Sequence, residues 1–242
     1  HIPLLVEGIN LETLSFIENS IKNANISNFL KRDPIALYED GCNPDILSYH
    51  FYISLDALQG FLKLNEPISN NIWLFRQVGF YLDKQILLKL PEFMAQKNIP
   101  GINVNLNLRT LITTYFQSFI LEYQATKQLT FDIDIIDFMA HPEVFEYALL
   151  TLREKGCRIG LSGLTIKHLD YLNFKKLPID SFKIIWDTNF TNCPGKLKNI
   201  VRSVGREKIV LTKCDTETAI QTGRLADIHY FHGHALEALL RK

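Results

Sequence analysis

The chain has 242 residues, 47% apolar and 21% charged, which suits a globular protein with one large core or two small ones. Lys and Arg balance Asp and Glu at 26 each, which argues against a general nucleic-acid or membrane-surface footprint. No apolar run reaches the roughly 18 residues that suggest a membrane span. The first residue is His1 rather than Met, so the chain reads as a piece of a longer protein, with any targeting segment upstream. Cys42, Cys157, Cys193 and Cys214 make no C-x-x-C pair and no disulfide framework. Reduced thiols of this kind suit the cytoplasm.

Asn10 is placed to cap a helix running from Leu11 to about Leu30, with Glu12 in its first turn and Leu14, Ile17, Ile21 and Phe29 on its apolar stripe. Pro34 breaks that pattern. Ile35-Ala36-Leu37-Tyr38 reads as a short strand, and Asp40-Gly41-Cys42-Asn43-Pro44 has turn chemistry. A second strand, Leu47 to Leu55, is rich in aromatic and β-branched residues. Glu66 to Asn70 reads as a loop. The strongest helix runs from Asn71 to about Leu90, where Leu74, Val78, Leu82, Ile86 and Leu90 share one face and Pro91 ends it.

From Gly101 onward strands and helices alternate. Strands begin near Ile102, Leu129, Cys157, Phe182, Ile209 and Ile228. Helices fall near Thr110–Tyr123, Glu143–Lys155, Pro194–Val204 and Glu217–Arg224, with a weaker one near Ile166–Leu172. Alternation of this kind predicts a parallel sheet with right-handed crossovers. The strands counted along the whole chain make an α/β, TIM-like (β/α)8 barrel the expected fold, with its chemistry at the carboxyl ends of the strands.

Several local patterns carry no chemistry on inspection. There is no G-x-G-x-x-G or G-K-[ST] phosphate loop. Gly160-Leu161-Ser162-Gly163 is not a nucleophile elbow, because Gly follows the serine directly, and nearby His168 does not make a triad. Ser162 is expected to cap the following loop and Gly163 to allow a tight turn. Unrelated thiols and loop histidines account for Cys214, His229, His232 and His234 better than a zinc site does. Asp132 and Asp134 alternate with Ile133 and Ile135, so both carboxylates face one side of a strand. Lys183 lies mid-strand and demands a partner, so a bridge to Asp132 or Asp134 explains the ammonium and the carboxylate together, with a remnant ligand site as the alternative. Trp186, Tyr230 and Phe231 lie near strand ends, where core packing competes with a base-stacking role.

The order of Val104-Asn105-Leu106-Asn107, Phe131-Asp132-Ile133-Asp134-Ile135, Leu152-Arg153-Glu154-Lys155-Gly156 and Ser162-Gly163-Leu164-Thr165 resembles the EAL domain, a bacterial phosphodiesterase module that linearises cyclic di-GMP. The family patterns at those places are V-N-L-S, L-E-I-T-E, L-R-x-x-G and D-D-F-G. Further on, Leu177-Pro178-Ile179-Asp180-Ser181-Phe182-Lys183-Ile184-Ile185 resembles L-P-x-D-x-x-K-I-D. Leu211 to Thr216 resembles A-E-G-V-E-T, and His232-Gly233 resembles Q-G. The wording is most similar to a divergent EAL-like group of alphaproteobacteria. The resemblance implies one barrel domain over 1–242, with a divergent part over 1–70 and regular helix and strand–helix units over 71–242.

The departures matter as much. By the resemblance, an active EAL site holds Mg²⁺ or Mn²⁺ with carboxylates and an Asn. Here Ser162-Gly163 stands for the acidic pair, Thr212 for a Glu, Ile185 for an Asp and His232 for a Gln. The stretch equivalent to E-A-L, His50 to Leu55, has no carboxylate. Asn105, Asp132 (or Asp134) and Lys183 survive, and three remnants do not assemble a hard-cation site. The expectation is therefore a domain with no catalytic residues, no metal and no cofactor, regulating through an unidentified protein partner. A remnant pocket would comprise Asn105, Asp132, Asp134, Ser162, Lys183, Thr212, Asp215 and His232, with Arg109 and Asp187 at its rim. The alternatives are a cyclic di-GMP receptor that does not cleave and a weak phosphodiesterase with an altered metal shell. A receptor would keep a polar rim around Asn105, Arg109 and Lys183, whereas a scaffold would close the mouth with apolar side chains. A homodimer is compatible with the resemblance.

Overall fold

A computed structural model describes residues 11–39, 42–64, 67–123 and 128–240. The expected cap Asn10, the turn residues Asp40 and Gly41, and Glu66 of the expected loop lie outside them.

The first helix, α1 (Leu11–Asn23), is shorter than its sequence suggested. Asn25 accepts a bond from the Ser27 amide and opens a 3₁₀ turn over Ile26–Asn28, a local alternative that competes with helix propagation. Strand β1 (Leu30–Leu37) then starts well before Pro34. Pro34 is tolerated because β1 pairs with β8 only over Ile35–Leu37, so its missing N–H lies where the strand has one neighbour. After β2 (Asp45–Ile53), Ser54 caps α2 (Leu55–Leu62), a short helix not anticipated from the sequence. Asn71 caps α3 (Ile72–Met94), accepting from the amides of Trp73 and Leu74. Pro91 lies inside α3 rather than ending it. It sits in the last turn, where it removes one hydrogen bond and the next residues still continue the helix.

The alternating part follows: β3 (Gly101–Asn105), α4 (Thr114–Glu122), β4 (Gln128–Asp134), α5 (Ile135–Ala140), α6 (Pro142–Glu154), β5 (Arg158–Leu164) and β6 (Ser181–Ile185). Next come α7 (Asn189–Asn192), α8 (Pro194–Val204), β7 (Ile209–Thr212), α9 (Glu217–Leu225), β8 (Tyr230–His232) and α10 (His234–Leu240). The weak helix expected near Ile166–Leu172 is only a 3₁₀ turn, His168–Asp170. His168 Nδ1 accepts the Thr165 amide at 3.0 Å there, which is a loop role.

The eight strands close into a barrel in chain order. This is the TIM-like α/β fold expected from the alternation, with one difference: β1 runs antiparallel to both β2 and β8. The connection over 38–44 is too short for the crossover that parallel neighbours require. The reversal brings the start of β1, rather than its end, to the carboxyl ends of the other seven strands.

The barrel has two kinds of interior. Ile102, Val104, Leu129, Phe131, Ile133, Ile159, Leu161, Phe182, Ile184, Ile209, Leu211 and Phe231 are buried on the outward face of the strands, against the helices. On the opposite parity Ser48, His50, Asn103, Thr130, Asp132, Ser181, Lys183 and Thr212 are also buried. The lumen is therefore polar, where barrels of this class are ordinarily packed with branched apolar side chains. Burying polar groups without compensation is costly, so the lumen is the part of the fold that calls for a functional account. Phe231 is fully buried, which makes it core rather than a stacking platform.

Candidate functional site

The lumen narrows on one ion pair. Lys183 of β6 donates to Asp132 Oδ2 of β4 over the intervening β5, both side chains almost without solvent contact. Burial is the largest influence on the Asp132 carboxyl and pushes it up, while Lys183 and the Asn103 side chain pull the other way. Gly160 of β5 makes room for this pair. A Cβ there would overlap Asp132 Oδ1 and come within 2.9 Å of Ser181 Oγ. Of the two carboxylates, Lys183 therefore bridges Asp132 and not Asp134. Asp134 sits one step further along, outside the pair, and its Oδ1 accepts the Ile136 amide at 2.8 Å to cap α5.

Above the pair lies an open mouth of about 580 Å³, lined by Lys31 and Asp33 of β1, His50 and Tyr52 of β2, Asn105 of β3 and His232 of β8, among others. Antiparallel register sets Asp33 opposite His50 and Lys31 opposite Tyr52. His232 Nε2 lies 3.7 Å from Asp33 Oδ2, and Tyr52 donates to Asp33 Oδ1 at 3.4 Å. Partial burial works against the Asp33 charge, but His232 and Tyr52 outweigh it and hold the carboxyl below its usual range. Burial, with the Asp33 charge, pushes Tyr52 up to about 12. The His50 ring packs against Tyr52 and edge-on to His232, at centroid distances of 5.8 and 5.4 Å. Burial, followed by the charges of Lys183 and His232, drives His50 well below the ordinary histidine value, so the ring is neutral. His50 Nδ1, Asp132 Oδ1, Ser181 Oγ and His232 Nε2 are buried without a hydrogen-bond partner, an unusual concentration in one lumen.

Of the residues singled out by sequence, Asn105 and His232 line the mouth, and Asp132 and Lys183 are paired in the buried lumen without lining it. The others are engaged elsewhere. Ser162 Oγ donates to the Ile133 carbonyl of the neighbouring strand at 3.3 Å, rather than capping a loop, and Gly163 takes a left-handed φ of 75°. Thr212 Oγ1 donates to the Ile184 carbonyl. Asp215 holds His234 through its amide and Nδ1. Asp187 caps the turn at Asn189, and Arg109 stacks on Phe80. Neither Arg109 nor Asp187 lines the mouth. Trp186 stacks on Phe190. Lys31 and Asp33 escape the sequence because Pro34 points to a strand starting only at Ile35, and Tyr52 because its strand is placed without a site residue on it. The available signal was polarity at alternate positions, Lys31 and Asp33 on one strand and His50, Tyr52 and Ser54 on the next.

A hard divalent cation such as Mg²⁺ fits this donor set poorly. It asks for several oxygens, ideally anionic. Asp132, the carboxylate at the centre of the lumen, is already neutralised by an ammonium, and Asp33 at the mouth is engaged by His232 and Tyr52. No group of three or more His, Cys, Asp or Glu side chains is arranged to hold a metal among the described residues. No helix among them is long and apolar enough to cross a membrane.

No protein-family model matches the sequence, and no curated protein sequence matches it. The fold does match solved structures. The EAL domain of Xanthomonas citri FimX, solved in complex with cyclic di-GMP, superposes with a TM-score of 0.64 at 10% identity over 92% of each chain. Bacillus subtilis YkuI, described with an EAL domain, substrate cyclic di-GMP and calcium, gives 0.62 at 17% identity, over 90% of this chain and 56% of that one. Vibrio cholerae LapD, an S helix-GGDEF-EAL protein solved apo, gives 0.68 at 11% identity over 95% of this chain and 58% of that one. The closed eight-stranded barrel and these superpositions together show that this chain has the fold of an EAL domain.

Proposed function

We propose that this chain is a non-catalytic regulatory domain of cyclic di-GMP signalling, binding the nucleotide at the barrel mouth without cleaving it and passing the signal to a protein partner. The observation that carries this reading is the Lys183–Asp132 pair beneath an open polar mouth. The internal ammonium already balances the Asp132 charge, and with Ser162, Gly163, Ile185 and Thr212 at the places of family carboxylates it supports a mouth that does not make a metal hydroxide. The mouth itself is not sealed by apolar side chains, as a pure scaffold would have it. It offers Lys31 and His232 for phosphate oxygens and Asp33, Tyr52 and Asn105 for base edges, in a cavity of the size small ligands occupy. Structures of the same fold solved with cyclic di-GMP support the choice of ligand.

A second reading, protein contact with no nucleotide, is favoured by exposed apolar side chains on consecutive helices, Ile136 and Met139 of α5 with Tyr147 and Leu150 of α6. Calorimetric titration with cyclic di-GMP separates the two. One-site saturable heat, weakened at least tenfold by Lys31→Ala or His232→Ala, is the expected result. Absence of heat up to high micromolar ligand would sink the receptor reading and leave the protein-contact role.

A further inference from the structure

Asp83 is a carboxylate buried without a cation. It lies on α3 with 4% of its surface exposed, and Oδ2 accepts the Asn107 amide at 2.8 Å, Asn107 Nδ2 at 2.9 Å and Thr110 Oγ1 at 2.5 Å. All three donors belong to the connection between β3 and α4, which leaves the barrel just after Asn105. The contact is close-packed, since a Cβ at Gly79, one turn earlier on α3, would come within 3.3 Å of Asn107 Nδ2.

The charged groups around Asp83 are committed elsewhere. Arg76 on the same helix pairs with Asp137 of α5 at 3.6 Å, Lys84 lies over the Tyr115 ring, and Arg109 lies over Phe80. Asp137 accepts the Leu108 amide at 3.3 Å, so a second carboxylate grips the same connection and its charge opposes that of Asp83. From α4, Tyr115 faces Asp83 with a hydroxyl pushed above its usual value, mainly by burial. On α1, Glu18 lies against Tyr81 and Lys84 and pairs with Lys22.

We propose that Asp83 is a positioning residue that latches the β3–α4 connection, and with it the Asn105 side of the mouth, to α3 in a proton-dependent way. Burial is the largest influence on the carboxyl and pushes it up to about 7, against the Thr110 and Asn107 bonds that favour the charge. In an opened connection the carboxyl returns to water and to an ordinary value of about 4. The closed state thus binds the proton more tightly. Its advantage is complete below about pH 4, declines as pH rises, and is gone above about 7. Above that point a buried anion, hydrogen-bonded but without a cation, remains under the loop.

Hydrogen exchange at the Leu106, Asn107, Leu108 and Thr110 amides tests this between pH 5 and 8.5, after correction for intrinsic rates. The wild-type opening constant is expected to rise about tenfold per pH unit up to about 7 and then level off. Asp83→Asn, which can still accept hydrogen bonds but cannot ionise, is expected to give a flat profile. A flat wild-type profile, or an unchanged slope in Asp83→Asn, would overturn the proposal. Should that variant fail to fold, a carbon-13 titration of the Asp83 carboxyl in the wild type decides. A midpoint near 7 supports the latch, and one below 5 refutes it.

Discussion

Lys183→Met is expected to destabilise the barrel by about 3–5 kcal/mol, because it leaves Asp132 as an unpaired carboxylate in the lumen. Asp132 has no solvent contact and its Oδ1 lacks a hydrogen-bond partner, so only the Asn103 side chain would remain to offset its charge. The single variant can escape only by taking up a proton at Asp132, so its deficit should shrink as pH falls. Adding Asp132→Leu should recover part of the loss, since an apolar pair of similar volume avoids the desolvation cost. It will not recover all of it, because the Asn103 side chain bonds to Asp132 and would lose its acceptor. Urea unfolding of the four proteins in this cycle measures the coupling directly. A single-variant loss below about 1 kcal/mol would mean that the pair is screened as surface pairs are.

Gly233→Ala carries the next largest expected effect, about 2–5 kcal/mol from backbone strain and overpacking together. Gly233 has a φ of 145°, a conformation L side chains rarely adopt, and a Cβ there would run into the Cys214 backbone, 2.7 Å from its carbonyl oxygen. That backbone cannot give way cheaply. The Cys214 amide donates to the His232 carbonyl and the Cys214 carbonyl accepts from the Ala235 amide. Since His232 lines the mouth, the substitution should also weaken ligand binding there. Gly195→Ala is the control. It lies in the first turn of α8 with nothing within 4 Å of the added methyl, and its thermal unfolding midpoint should stay level or rise.

These two sites show what was legible in the sequence and what was not. The strands from Gly101 onward announced themselves because their outward parity is continuously apolar, and their alternation with helices led directly to the barrel. The reversal of β1 was invisible, since direction comes from the short connection to β2 and from closure against β8, which are tertiary facts. Misplacing the start of that strand hid Lys31 and Asp33, half of one wall of the mouth. Lys183 demanded a partner on sequence grounds alone, but choosing Asp132 over Asp134 required the register of β4 against its neighbours. Ser162 and Thr212 looked like site positions because the resemblance sets them where the family carries acidic residues. Their hydroxyls instead satisfy carbonyls of adjacent strands, a use that residue type cannot reveal. Asp83 drew no notice as a polar residue within a long apolar helix, because its three donors come from a segment far along the chain.

The most direct test of the central claim, that the lumen is closed by its own ion pair rather than by metal, is chromatography of cyclic di-GMP incubated with the protein and saturating Mn²⁺. The account requires the cyclic dinucleotide to be recovered intact after many hours, at wild-type Lys183 and Asp132. Steady appearance of the linear dinucleotide, abolished by chelation and by Asp132→Asn, would contradict it and return this mouth to metal-dependent hydrolysis.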